Sequence, residues 1–186
     1  MATKKIILCS SSLSRALLLK KFGIKFEQKS TSYDEEQIKT TIAKDFVYTA
    51  SKGKLHSAIQ EFGLETPLLC ADTVIASHNG EILRKPKNLE DARRILNIQS
   101  GKSISIISSL HYKTKTIEFS NISTTNYTFS PFEEKKLEAY LESGLWQGKA
   151  GGCMVEGFCK EYILSVDGLE SNAMGLQVEK LLGWLE

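Results

Sequence analysis

Several things are scarce in this chain, and each scarcity narrows its class. Among 186 residues there are 3 prolines and no low-complexity tract, so disorder is not expected. No stretch approaches the ~18 apolar residues of a membrane-spanning helix. The opening Met-Ala-Thr-Lys-Lys is followed by the four-residue apolar run Ile6–Cys9, too short for a signal peptide, so the expected address is the cytoplasm. Charge nearly cancels: 24 basic and 22 acidic residues leave +2. That gives no broad field for duplex nucleic acid or a membrane surface, and neither partner is expected. The four cysteines, Cys9, Cys70, Cys153 and Cys159, contain no C-x-x-C pair. They read as small buried hydrophobes in a reducing compartment. His56, His78 and His111 lie in separate segments without metal-ligand spacing and read as surface or capping residues.

What remains is ordinary for a globular chain: 41% hydrophobic and 25% charged residues. The length suits one domain, or one domain with two lobes around a cleft. Lys5 to Cys9 reads as a short buried strand, followed by the polar run Ser10-Ser11-Ser12. A helix is predicted over 14–22, with Leu17, Leu18 and Phe22 as its apolar face and Gly23 as its stop. Residues 24–28 form a second strand. Asp45 is placed as the cap of a helix running to Phe62. Pro67 to Ser77 is a strong strand with one carboxylate inside it, and Asn79-Gly80 signals a hairpin returning through 81–84. Asn88 caps a further helix. Residues 103–112 and 116–129 read as two long strands. Ser130-Pro131-Phe132-Glu133 has the form of a capping box with proline at the first helical position. Strands are expected around 154–166 and an amphipathic helix over 174–184. Early strand–helix alternation followed by hairpins predicts an α/β fold with a mixed sheet rather than a purely parallel one.

Five segments offer chemistry. A polar loop between a buried strand and a helix presents N–H groups to an anion, and Arg15 adds a guanidinium. The same residues also suit a helix cap beside a solvated arginine. Asp72 is sharper. Leu68, Leu69, Val74 and Ile75 flank it, and an aspartate in such a strand is costly unless it is paired, holds a metal or orients a water. Asp34-Glu35-Glu36 is a solvated acidic run unless it faces Asp72, where paired carboxylates would hold a hard cation. Lys52, Lys54, Arg84 and Lys85 are basic, and Pro86 stiffens the backbone after Lys85, but surface lysine is the commoner role. Gly148-Lys149-Ala150-Gly151-Gly152 is no Walker loop; it suits either close approach to a ligand or a tight turn.

In this order, these residues resemble the Maf family, nucleotide pyrophosphatases related to a septum-formation inhibitor. The resemblance spans nearly the whole chain. The family's S-x-S-P-R-R loop reads Ser10-Ser11-Ser12-Leu13-Ser14-Arg15. Its D-E step is Asp34-Glu35, its A-D-T/Q strand is Ala71-Asp72-Thr73, and its K-P is Lys85-Pro86. Its K-A-G stretch with a later Q-G or E-G step is Lys149-Ala150-Gly151 and Glu156-Gly157. The resemblance implies an elongated, twisted mixed sheet flanked by helices, with two lobes around a central cleft, as in inosine-triphosphatase-like folds, and a single domain over 1–186. It implies a house-cleaning enzyme that converts a nucleoside triphosphate, including modified ones, to the monophosphate and pyrophosphate with Mg²⁺ or Mn²⁺. Asp72 becomes the proton acceptor, with Asp72 and Glu35 toward the metal and Lys85 beside them in catalysis. Ser10, Ser12, Arg15, Lys85 and a helix lysine, Lys52 or Lys54, become the phosphate-binding set. Ser14, Thr73 and Glu156 fall where family members choose their base, in a combination that fits neither the dTTP/UTP branch nor the 7-methyl-GTP branch. Family members are often dimers, which implies a homodimer. They have been linked to cell-division arrest, which leaves a nucleotide-binding regulator of septum formation as the alternative. The family's late G-L-P is Gly175-Leu176-Gln177 here.

Overall fold

The computed structural model describes residues 5–153 and 155–185. In chain order they form β1 (Ile6–Cys9), α1 (Leu13–Lys21), β2 (Phe26–Lys29), α2 (Ala43–Phe62), β3 (Leu68–Ser77), β4 (Ile82–Leu83), α3 (Leu89–Gln99), β5 (Ser103–Lys113), β6 (Glu118–Phe129), α4 (Glu134–Glu142), β7 (Ile163–Asp167), α5 (Glu170–Ala173) and α6 (Val178–Leu181). The strands make one mixed sheet in the order β2-β1-β3-β5-β6-β7, with β4 paired to β3. β1 runs parallel to β2 and β3, while β3–β4 and β6–β7 are antiparallel. This is the mixed α/β sheet that the alternation of elements predicts. Among the described residues, no helix is long and apolar enough to cross a membrane.

The chain divides into two compact units. The first comprises 1–73, 107–123 and 169–186; the second comprises 74–106 and 124–168. In the first, strand periodicity sorts the core. Ile7, Cys9, Leu68 and Cys70 face one side of the sheet, where Leu55 and Ala58 of α2 cover them. Ile6, Leu8, Leu69 and Ala71 face the other side and pack with Leu18 and Leu19 of α1 and Leu176, Val178 and Leu181 near the C-terminus. In the second unit, rings fill the interior: Phe132 stands 5.2 Å from Phe158 and 4.8 Å from Tyr162, and Tyr140 stacks on Phe158 at 4.5 Å.

Local expectations fail in instructive places. Leu17 is exposed, and α1 buries Arg15, Ala16, Leu18 and Leu19 instead. Ile42 rather than Asp45 precedes α2, and Asp45 lies in its first turn, where a negative charge complements the helix dipole. Ser130 does not cap α4, which begins at Glu134; its hydroxyl bonds Tyr162 O, drawing the 130–133 segment out of helical register. The 154–166 stretch yields one strand, β7, after a 3₁₀ turn over Phe158–Tyr162, and Met154 lies outside the described residues. Of the expected closing helix over 174–184 only α6 and a 3₁₀ turn over Leu182–Trp184 form; Gly175 takes φ +102°, and α5 ends before the expected range, at Ala173. Cys9 and Cys70 are buried free thiols, but Cys153 and Cys159 form a disulfide, not the expected pair of thiols. His111 is buried, not at the surface.

Candidate active site

Residues 72 and 73 are neighbours on β3 and therefore serve opposite faces of the sheet. Asp72 points to the α2 side and Thr73 to the α1 side, and each is tied to a cation there.

On the α2 side, Lys54 Nζ donates to Asp72 Oδ1 at 2.7 Å and pairs with Glu35 Oε1 at 2.5 Å. Glu35 reaches this point from a 3₁₀ turn over Glu35–Gln37, which Asp34 caps by accepting from Glu36 N. The acidic run is thus divided: Asp34 caps, Glu35 joins the site and Glu36 stays exposed. Asp72 is 5% exposed, and its Oδ2 is buried with no hydrogen-bond partner. Burial pushes its carboxyl pKa up; Lys54 pulls it back, Glu35 raises it further, and Arg15 lowers it. The two lysines left open by sequence separate here. Lys52 lies two residues from Lys54, on another side of α2, with its ammonium over the Tyr48 ring.

On the opposite face lies Arg15, 8% exposed. Its Nε donates to Gly175 O at 2.8 Å, Nη1 to Ser10 Oγ at 2.9 Å and Nη2 to Thr73 Oγ1 at 3.0 Å. Burial draws its pKa down, and Asp72 and Glu35 oppose that. The alternative of a solvated arginine is therefore overturned: Arg15 is a buried tie between the serine loop, β3 and the C-terminal turn. Ser10 Oγ also accepts from Ser12 N, and Ser12 caps α1 by accepting from Arg15 N. Ser14 is half-buried on the first turn of α1.

Sequence reading missed Ser108. Its hydroxyl donates to Asn172 O at 2.9 Å and lies 2.9 Å from Thr73 Oγ1. Arginine only donates and a carbonyl only accepts, so Thr73 accepts from Arg15 and Ser108 donates to Asn172 O, while the Thr73 proton faces both Ser108 Oγ at 2.9 Å and Gly175 O at 3.4 Å. On the α2 side of the same strand, Ser109 and His111 meet Ser51 of α2 at 2.9 and 3.0 Å. The signal that exposed Asp72, a polar residue inside a buried strand, was present at Ser108-Ser109 as well.

The second unit holds Lys85 and Glu156, both exposed. Here two separate sequence motifs meet. Gly151 N donates to Arg84 O at 3.1 Å, and Gly152 packs on Pro86. The Lys149-Ala150-Gly151 turn therefore braces the Lys85-Pro86 step.

Among the described residues, no group of three or more His, Cys, Asp or Glu side chains is arranged to hold a metal. Asp72 and Glu35 nevertheless present carboxylate oxygens around one point, both bound to Lys54 Nζ, and Asp72 Oδ2 lacks a partner. Carboxylate oxygens are the donors that hard divalent cations take, so these two residues fit such an ion chemically.

The family model for Maf-like protein matches residues 5–186. A nucleoside triphosphate pyrophosphatase from a Nitratiruptor species is 49% identical over 178 residues, covering 95% of this chain and 96% of that protein. One from Helicobacter pylori is 41% identical over 182 residues, covering 98% and 95%. A solved structure of the Staphylococcus aureus Ham1 protein overlaps 68% of this chain and 71% of its own, at 10% identity and a TM-score of 0.47, too loose a likeness to carry an argument. On the strength of the match from residue 5 onward and of relatives aligned nearly end to end, the chain belongs to the Maf family.

Proposed function

We propose that the chain is a divalent-metal-dependent nucleoside triphosphate pyrophosphatase. It hydrolyses the α–β phosphoanhydride and releases a nucleoside monophosphate and pyrophosphate. The observation that carries this reading is Asp72: a carboxylate 5% exposed, with one oxygen on Lys54 and the other without a partner. The names of the relatives supply the substrate class.

In this mechanism a water oxygen bonds to the α-phosphorus, the bridging oxygen leaves with pyrophosphate, and the water's proton passes to Asp72. Burial raises the pKa of Asp72 and so strengthens it as an acceptor. Lys54 holds its Oδ1 in place, leaving Oδ2 for the water or the metal. A bound Mg²⁺ or Mn²⁺, held by Asp72 and Glu35, would supply charge neutralisation at the phosphates. Arg15 shapes the serine loop through Ser10, and Ser10, Ser12 and Lys85 take phosphate oxygens. Ser14, Thr73 and Glu156 bear on the choice of base.

The test is pyrophosphate release from dTTP, UTP, CTP, GTP, 7-methyl-GTP and pseudouridine triphosphate with Mg²⁺, Mn²⁺ or EDTA. Release is expected with metal and not with EDTA. Asp72→Asn is expected to lower it at least ~100-fold, the scale of a lost general base. Near-wild-type turnover in Asp72→Asn would overturn the mechanism. Nucleotide binding with no release would favour the regulatory alternative.

A further inference from the structure

Helix α3 carries an anomaly. Its core stripe is Ala92, Ile95, Leu96 and then Gln99, the spacing of one buried helical face. The last position is an amide, 1% exposed, where an aliphatic side chain would suit the pattern. Gln99 Oε1 is buried without a partner, so the residue carries a desolvation cost that its packing alone does not explain. Its Nε2 donates to Ile95 O at 3.1 Å and to Gly151 O at 2.6 Å.

Gly151 is the residue whose N–H holds Arg84 O, and Gly152 beside it packs on Pro86 so closely that a Cβ would stand 3.2 Å from the ring. Both glycines have positive φ, +65° and +66°. A second donor, Tyr140 OH, fixes Gly152 O at 2.9 Å. The backbone on both sides of Lys85 is thus gripped by a glycine pair, and that pair is gripped in turn by two buried side chains.

We propose that Gln99 is a positioning residue for Lys85. Its amide fixes the Gly151–Gly152 turn, and the turn fixes the Arg84–Pro86 backbone from which Lys85 meets the polyphosphate. The inference rests on the reading of Lys85 as a phosphate-binding residue. Tyr140 performs the same service from α4. An aliphatic residue at 99 would keep the core and lose the grip, so stability and polyphosphate affinity are expected to part company.

The experiment is competitive inhibition by inorganic pyrophosphate in wild type, Gln99→Leu, Lys85→Ala and the double variant, with melting temperatures alongside. Gln99→Leu is expected to raise the inhibition constant about threefold to tenfold while melting at or above the wild-type temperature. In the double variant, the Gln99 change is expected to add nothing to the effect of Lys85→Ala. A merely structural glutamine would lower the melting temperature and leave the inhibition constant alone. That result, or effects that multiply in the double variant, would overturn the proposal. If Lys85→Ala alone leaves inhibition unchanged, the reading of Lys85 falls, and the proposal falls with it, without reference to Gln99. If Gln99→Leu does not fold, Tyr140→Phe, which deletes only the bond to Gly152 O, goes through the same comparison and is judged by the same outcomes.

Discussion

The first unit buries Arg15, Asp72, Ser51, Ser108, Ser109, His111 and Gln177, while the second places Phe129, Phe132, Tyr140, Trp146 and Tyr162 in its interior and leaves Lys85 outside. Each unit has a charged group to aim, and each does so differently. In the first, side chains hold side chains: Lys54 holds Asp72, and Arg15 holds Ser10 and Thr73. In the second, an aromatic core supports a glycine turn, and the turn stiffens the backbone under an exposed lysine. Buried polar networks position precisely but are costly to break. A braced backbone leaves its charged tip replaceable without loss of the fold.

That contrast is open to attack by substitution. The largest effect is expected in the aromatic interior. Phe132→Ala removes the ring touching Phe129, Phe158 and Tyr162 and should cost about 3–5 kcal/mol in denaturant unfolding. A loss near ~1 kcal/mol, the size of an average substitution, would mean the rings are not the support of that unit. Next, Arg15→Ala strands Ser10, Thr73 and Gly175 O and should cost about 3 kcal/mol by the same measurement. Arg15→Lys should recover little, because an ammonium does not span three acceptors held by a planar fork.

A third test uses pH. Burial lowers the pKa of His111 from 6.5 to about 4, with Glu118 pulling it up and Lys52 and His56 pulling it down. Between those values the unfolded chain binds a proton that the folded chain refuses, so stability falls as pH drops below 6.5. From neutral pH to about pH 5 the loss should be about 2 kcal/mol. Melting curves of His111→Gln should lack that slope; an unchanged slope would remove His111 from the polar network. The smallest expected effect on stability is that of Lys85→Ala, within about 0.5 kcal/mol, as for an ordinary surface site. The same variant should weaken inhibition by pyrophosphate. A large loss of stability there would erase the distinction between the two units.

How far the sequence foretold this depends on the range of each cause. The strand–helix order and the hairpin at Asn79-Gly80 are local, and they are where the pattern puts them. Asp72 stood out because a carboxylate in a buried strand violates a strong rule. The burial of Arg15 was not legible because its partners lie up to 160 residues away. Lys54 could not be told from Lys52 without the helix in three dimensions. The late start of the closing helix was legible in principle: Gly175 stands in the first turn of the expected range, but the amphipathic spacing outweighed it. Ser130-Pro131-Phe132-Glu133 carried every letter of a cap, and a tertiary bond to Tyr162 O overrode it.

The oriented hydroxyls of Thr73 and Ser108 set a rule of replacement for this site. Thr73 takes a hydrogen from Arg15, and Ser108 gives one to Asn172 O. Valine matches the shape of threonine and alanine is close to serine, yet Thr73→Val would leave Arg15 Nη2 without its acceptor at a half-buried position, and Ser108→Ala would leave Asn172 O without that donor at a fully buried one. Shape alone is therefore no guide to what these two positions accept. A library built on side-chain volume would be full of valines and alanines here, and its functional survivors should be almost entirely hydroxyl-bearing.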